Sequence, residues 1–252
     1  MTIVIGVGGL SPFTDHGLPI ASHAIVHPTP LAMLPFAILA VVLIALLYWE
    51  IWVCEGAHLG RRFVVWLYQL LAGRYESIKQ FDPEWERHVL GEPLASSLAH
   101  LGRARVLDVG AGSARLARAL IPVARGDLKL VAAEPSSRML ALGQELAPSR
   151  FPWLRAWADA LPFPGGLFDV VAALEVLEFT PDPGASLREM IRVLRPGGLL
   201  LVSNRVGPEA PWIFGRTVPR SRLEEYLASF GLNDIHVLPW QVEYDLATAS
   251  KA

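Results

Sequence analysis

A chain of 252 residues, 52% hydrophobic and 18% charged, is too apolar for intrinsic disorder and carries less charge than the roughly 25% of an ordinary soluble domain. Its single cysteine, Cys54, excludes a disulfide scaffold, and a net charge of −2 gives no reason to expect a nucleic-acid partner. The 21 glycines and 20 prolines, with most charge in the last three quarters of the chain, argue against a multi-span bundle. The length suits one domain of about 150–200 residues plus an addition.

Residues 1–30 read as a short non-cytoplasmic tail. Their histidines, His16, His23 and His27, follow no metal-ligand spacing. Residues 31–53 read as a single transmembrane helix. The stretch 31–49 holds no charge and would be about 28 Å long, close to the hydrocarbon thickness of a bilayer. Pro35 lies inside it, which membrane helices tolerate, and Tyr48, Trp49 and Trp52 cluster at its far end as an aromatic belt would. No Lys or Arg precedes Arg61, whereas Arg61, Arg62, Arg74 and Lys79 follow. By the positive-inside rule the N-terminus then faces outward and the rest is cytoplasmic. A cleaved signal peptide fits poorly, because no basic n-region precedes the run. Residues 54–100 follow as juxtamembrane helices. Within them Phe63, Trp66, Leu67, Leu70 and Leu71 share one helical face, which would lie on the membrane surface or pack over the next domain. Cys54 is expected as a plain apolar contact.

From residue 101 strands and helices alternate. Strands are expected at 105–109, 129–133, 153–157, 168–174 and 199–203, with helices at 114–124, 137–146 (capped by Ser136) and 183–194 (capped by Asp182). The end reads as a helix at 221–230 and strands at 233–238 and 243–250. This order predicts a parallel sheet covered by helices on both faces, with its ligand at the carboxyl ends of the strands. There stands Asp108-Val109-Gly110-Ala111-Gly112, whose glycines let backbone pass close to a ligand. Arg115 occupies the place of the third glycine of a dinucleotide fingerprint. Asp108 would repel a pyrophosphate but suits a ligand bearing an ammonium group. Glu134 ends the second strand, where an acid holds ribose hydroxyls.

The segments VLDVGAGSARLA, AAEPSSRMLALGQELA, ADALPFPGGLFDVVAALEVLEFTPDP and LREMIRVLRPGGLLLVSN, in this order, resemble the class I S-adenosylmethionine-dependent methyltransferases. Within that class the likeness is to the type 11 group that includes quinone-biosynthesis enzymes, and it covers roughly residues 70–250. It implies an α/β, Rossmann-like seven-stranded sheet with an antiparallel last strand over 101–252, and S-adenosylmethionine as cofactor. RYESIKQFD, from Arg74, resembles the segment that covers the cofactor in that group.

Carried over residue by residue, the likeness puts Asp108, Gly110, Ala111 and Gly112 at the methionine end, Glu134 and Pro135 at the ribose, and Glu175 beside the methyl-transfer centre. The adenine contact departs from the pattern. Trp157 stands four residues before Leu161 where an acid is usual, and Asp159 comes two residues later. Either a short deletion has moved the acid, or Asp159, with Ala160 beside it, makes the contact and Trp157 stacks on the ring; Asp159 is the expected contact. Some relatives carry Glu-x-x-Glu-His, where this chain has Glu175, Glu178 and then Phe179, so no metal is expected. Glu178 is the candidate general base; His236, in an edge-like strand, is a poor one. Arg205, Trp212 and Arg216 would shape an acceptor pocket by position alone. The resulting expectation is a membrane-anchored methyltransferase with a lipid-soluble or membrane-proximal small-molecule acceptor. A non-catalytic cofactor-binding or scaffold protein and an NAD-dependent oxidoreductase are its rivals.

Overall fold

The computed structural model describes residues 30–252; the expected tail and its histidines lie outside them, except for Pro30. The chain divides into two units, Met1–Leu43 and Ile44–Ala252. Helix α1, Pro30–Tyr48, runs uninterrupted through Pro35. Together with the π-helical turn Trp49–Val53 it gives one stretch, Met33–Val53, of 21 residues and mean hydropathy 2.4, long and apolar enough to cross a membrane.

In the second unit a set of helices precedes the sheet: α2 (Arg61–Leu71), α3 (Tyr75–Lys79), α4 (Pro83–Glu86) and α5 (Glu92–Leu98). Then come β1 (Arg103–Val109), α6 (Arg115–Leu120), β2 (Asp127–Ala133), α7 (Ser137–Leu146), β3 (Trp153–Leu154), β4 (Phe168–Ala173), α8 (Pro183–Val193), β5 (Leu194–Arg205), α9 (Arg220–Ala228), β6 (Leu232–Gln241) and β7 (Tyr244–Lys251). The seven strands form one sheet in the order β3-β2-β1-β4-β5-β7-β6. β7 enters antiparallel between β5 and β6, and the remaining neighbours are parallel. The seven-stranded sheet with its antiparallel last strand is therefore as the sequence implied.

Two apolar layers hold it. Leu187, Met190 and Val193 of α8 and Leu223 and Leu227 of α9 pack on Leu107, Val171 and Leu200. On the opposite face Leu90, Leu94, Leu116 and Leu120 meet Val106, Val170 and Leu201. Ser136 Oγ accepts from Met139 N at 3.3 Å and Asp182 Oδ1 from Ala185 N at 2.9 Å, so both expected caps start their helices. Some lengths differ from expectation. α6 ends at Leu120: Ile121 still holds helical backbone and donates to Ala117 O, but Pro122 has no N–H with which to continue the ladder. β3 keeps two residues, since Trp157 and Ala160 pair in a tight turn instead of extending the strand. β5 begins at Leu194 and absorbs the Arg195-Pro196-Gly197-Gly198 turn through a register shift opposite Phe168 and Val170.

The strand order reverses between β1 and β4, so their carboxyl ends open a crevice. α2 lies over it. Arg61, Val64, Val65 and Tyr68 face the crevice, while Trp66 and Leu70 stay about half exposed. The helix that read equally well as surface-bound or domain-packed thus packs over the domain with one face and leaves an apolar second face open.

Candidate cofactor-binding cleft

The cleft at this switch point encloses about 800 Å³ including its open mouth. Its floor is the turn after β1. Gly110 and Gly112 hold φ of +66° and +50°, the left-handed region that glycine enters freely. A Cβ on Gly110 would stand 2.5 Å from Val176 Cγ2. Gly110→Ala therefore combines backbone strain with a collision, and a stability loss of about 2 kcal/mol or more is expected. Adding Val176→Ala should return only part of it in a denaturant melt, because the strained φ remains.

Glu134 lies at the end of β2, 6% exposed. Its two oxygens accept from Gly112 N at 3.0 Å and Ser136 N at 2.8 Å. Burial nonetheless pushes its carboxyl up to about 7, against the pull of those two N–H groups. Asp108, one strand away, is pushed up to about 8, mainly by burial and then by the charge of Glu134. Asp108 lines a recess with Tyr75, Gly112, Arg115 and Glu175, and among the described residues no side chain donates to its carboxyl. A buried carboxyl without a cation is unsatisfied in its charged form, and a ligand carrying a positive charge would relieve it.

Glu175 has φ +55°, and its N–H donates to Ser203 Oγ at 2.6 Å. Lys79 Nζ and Arg115 Nη1 each reach its carboxylate at 2.6 Å. Although burial is the largest influence and acts upward, these two cations together hold its carboxyl below the usual range. Arg115, 8% exposed, also reaches Glu86 Oε1 at 2.5 Å. Its guanidinium lies between the Phe81 and Trp240 rings, 3.9 and 4.1 Å from their centroids.

At the other end of the cleft Arg61 Nη1 donates to both oxygens of Asp159 at 2.8 Å and lies 4.6 Å over the Trp157 ring. Asp159 and Trp157 both line the cleft, and so does Pro135; Ala160 is exposed and lines none of it. Ala111 lines the Asp108 recess. Glu178 is 1% exposed and off the cleft, its Oε1 accepting from Tyr244 Oη at 2.7 Å; Phe179 takes the cleft wall in its place. His236 is exposed on β6, and Trp212 and Arg216 do not line the cleft. Arg205 is buried and meets the site only through Glu55, 3.4 Å away, whose other oxygen accepts from Tyr68 Oη at 2.8 Å.

Tyr68 and Met139 were not singled out from the sequence, Arg61 was noted only for its charge, and Tyr75 only as part of the RYESIKQFD segment expected to cover the cofactor; all four line the cleft. The available signal was the i, i+3, i+4, i+7 spacing of Arg61, Val64, Val65 and Tyr68, hidden because the stronger apolar stripe of that helix is the open one.

Residues 107–202 match the family model of a methyltransferase domain. The chain is 35% identical over 137 residues to an uncharacterized methyltransferase of Mycobacterium sp. (strain JLS), covering 51% of this chain and 53% of that protein. It is also 35% identical over 113 residues to a ubiquinone/menaquinone biosynthesis C-methyltransferase of Hahella chejuensis, covering 43% and 45%. The aligned stretch thus spans about half the length of these curated relatives. Among solved structures, the [4+2]-cyclase SpnF superposes with a TM-score of 0.57 at 20% identity, over 76% of this chain and 96% of that one. A cyclase on this fold shows that the fold alone does not decide the reaction. Residues 107–202 thus resemble a methyltransferase domain, and S-adenosylmethionine is the cofactor that this likeness and the fold imply.

Proposed function

We propose that the protein is a membrane-anchored S-adenosylmethionine-dependent methyltransferase, facing the cytoplasm, that acts on a lipid-soluble or membrane-proximal small molecule. The observation that carries this reading is the roof of the cleft. It is formed by α2, which follows within a few residues of the only membrane-length apolar helix among the described residues. Leu59, Trp66 and Leu70, and Trp212 and Phe214 in the loop after β5, are all about half or more exposed. Apolar side chains in such number, with Arg62 and Arg74 near them in sequence, suit a headgroup interface.

The residues present fit the cofactor. Glu134 would accept from the ribose hydroxyls, and the Gly110–Gly112 backbone allows close approach. The recess beside β1 offers one carboxyl, Asp108, and one guanidinium, Arg115, to the two charges of an amino-acid end. Bound there, the cofactor supplies a methyl group already activated on a sulfonium. The protein's share is positioning and exclusion of water by α2 and the Tyr75–Lys79 helix. Among the described residues the cleft-wall carboxylates are all engaged: Glu175 is held by Lys79 and Arg115, Asp159 by Arg61, and Glu134 by the Gly112 and Ser136 N–H groups, while Glu178 lies off the wall and faces Tyr244. This favours acceptors acidic enough to present their own nucleophile, such as a phenolic or enolic ring, over simple alcohols. The engaged carboxylates also support a second reading, a cofactor-binding protein without transferase activity.

The discriminating experiment is mass spectrometry of lipids and quinones from a deletion strain. A species lighter by one methylene should accumulate, and purified protein should convert it with release of S-adenosylhomocysteine. Binding of S-adenosylmethionine without any such species favours the non-catalytic reading. Release of the full chain from membranes by alkaline carbonate would refute the anchor.

A further inference from the structure

We propose that Glu50, Cys54 and His58 form a binding site for a divalent metal ion of the zinc class, separate from the cleft. Glu50 is the only acid within 31–53, and an ionisable side chain at the end of an apolar, membrane-length helix requires a partner. The chain is shaped to supply one. The π-helical turn Trp49–Val53 ends in a Cys54 N–H donating to Trp49 O at 3.1 Å. Glu55 and Gly56 then both adopt left-handed backbone, φ +49° and +77°. For Glu55 that conformation is uncommon and costly. Gly56 could not be replaced there, since a Cβ would stand 2.5 Å from Phe63 Cδ1. The reversal lays His58 back over Glu50. Its backbone N–H donates to Glu50 Oε1, and Nδ1 lies against Oε2, each at 3.0 Å.

One donor atom from each of the three side chains lies within 4.8 Å of the other two. Zinc takes sulfur at about 2.3 Å and nitrogen or oxygen at about 2.0–2.2 Å, so tetrahedral ligands stand roughly 3.3–3.8 Å apart. The donors need to close by only about an ångström. An ion entering between them exchanges the Nδ1–Oε2 hydrogen bond for bonds to the metal. Cys54 is the floor of the site. It is fully buried against Ala57 and Ile213, and its thiol donates to the Trp212 carbonyl, 4.0 Å from Sγ. The Glu50 and His58 side chains, 15% and 30% exposed, form a rim through which an ion reaches it. Thiolate with imidazole and carboxylate selects a borderline-soft ion over Ca²⁺ or Mg²⁺, which prefer oxygen alone. Three protein ligands leave the fourth position to water. The bound ion would pin the turn that leads into α2, and hence the Arg61 end of the cleft roof.

The competing account is a hydrogen-bonded Glu50–His58 turn with Cys54 filling an apolar gap. Cobalt(II) titration of the full chain, purified in detergent micelles and stripped with chelator, separates the two. Because Cys54 is the sole cysteine, any near-ultraviolet thiolate-to-cobalt band reports that residue alone. The expected result is one equivalent bound, with this band and intense tetrahedral visible bands, both lost on adding equimolar Zn²⁺. Cys54→Ser should abolish the near-ultraviolet band, and Glu50→Gln and His58→Ala should each weaken Co²⁺ binding tenfold or more. The absence of a thiolate band in the unaltered protein at one equivalent overturns the proposal, even if no variant folds. So does a band whose affinity is unchanged in both Glu50→Gln and His58→Ala.

Discussion

Replacing Arg115 with methionine is expected to destabilise the fold by on the order of 3–5 kcal/mol, the range for removing one partner of a buried ion pair. Among the described residues its guanidinium is the only cation within bonding distance of Glu86, whose second oxygen lacks a partner there. Burial holds the Glu86 carboxyl above its usual range even with Arg115 in place. Without Arg115 it would be a buried charge with nothing opposite, and would take up a proton at neutral pH. Glu175 would keep Lys79 but lose its second cation. The Phe81 and Trp240 rings would lose the flat cation between them. Arg115→Lys should recover less than half of the loss, because an ammonium cannot reach two carboxylates in a plane and stack at once. Arg115→Met with Glu86→Gln should be more stable than Arg115→Met alone, because the orphaned charge is then gone. Denaturant unfolding of the full chain in detergent, run as a double-mutant cycle, measures these terms. A loss below about 1 kcal/mol would mean that the pairs only offset their own desolvation.

Arg115 also shows what a sequence can and cannot reveal. Its position was legible as a departure from the third glycine of a dinucleotide fingerprint. Its partners were not, because Phe81 comes from the loop between α3 and α4, Glu86 from the end of α4 and Trp240 from β6. Contacts of that separation follow from tertiary packing and leave no local period in the chain. The sheet was legible for the opposite reason. β4 is buried throughout and β1 and β2 toward their carboxyl ends, with Gly110, Glu134 and Glu175 just beyond them, and Ser136 and Asp182 announce α7 and α8 by capping chemistry. Glu178 illustrates the limit between these cases. Its spacing from Glu175 suggested a shared site, but the short 3-10 turn Leu177–Phe179 rotates it toward β7 and presents Phe179 to the cleft. A three-residue interval fixes the side only on a regular helix. The sole cysteine read as an apolar contact and is one, buried with Ala57 and Ile213, but nothing in the spacing of Glu50 and His58 announces the left-handed turn at Glu55 and Gly56 that brings them beside it.

Affinity for S-adenosylmethionine should rise with pH across the neutral range, while the ligand-free fold loses stability over the same range. The two slopes have one origin. Burial and the neighbouring Glu134 raise the Asp108 carboxyl to about 8, and burial raises Glu134 to about 7. For an acid whose folded value lies above its unfolded one, the stabilising contribution is fully present below the unfolded value near 4 and is lost as pH climbs through 7–8. A cationic ligand end requires the ionised carboxyl, so below about pH 8 binding must first expel a proton, at a cost of up to about tenfold in affinity per pH unit. The two carboxyls interact, so the slope belongs to the pair. Calorimetry in two buffers of different ionisation heat should show net proton release on binding at pH 7. Asp108→Asn should flatten the profile and remove the release. Glu134→Gln should lower affinity at every pH by about ten- to a hundredfold, the worth of one or two charge-assisted hydrogen bonds. S-adenosylhomocysteine sharpens the test, since it keeps the ammonium group and lacks the sulfonium. An equal pH slope for both ligands identifies the ammonium as the partner of Asp108, whereas a slope confined to S-adenosylmethionine transfers that role to the sulfonium. A flat profile with no proton released would show that no positive charge meets Asp108 at all.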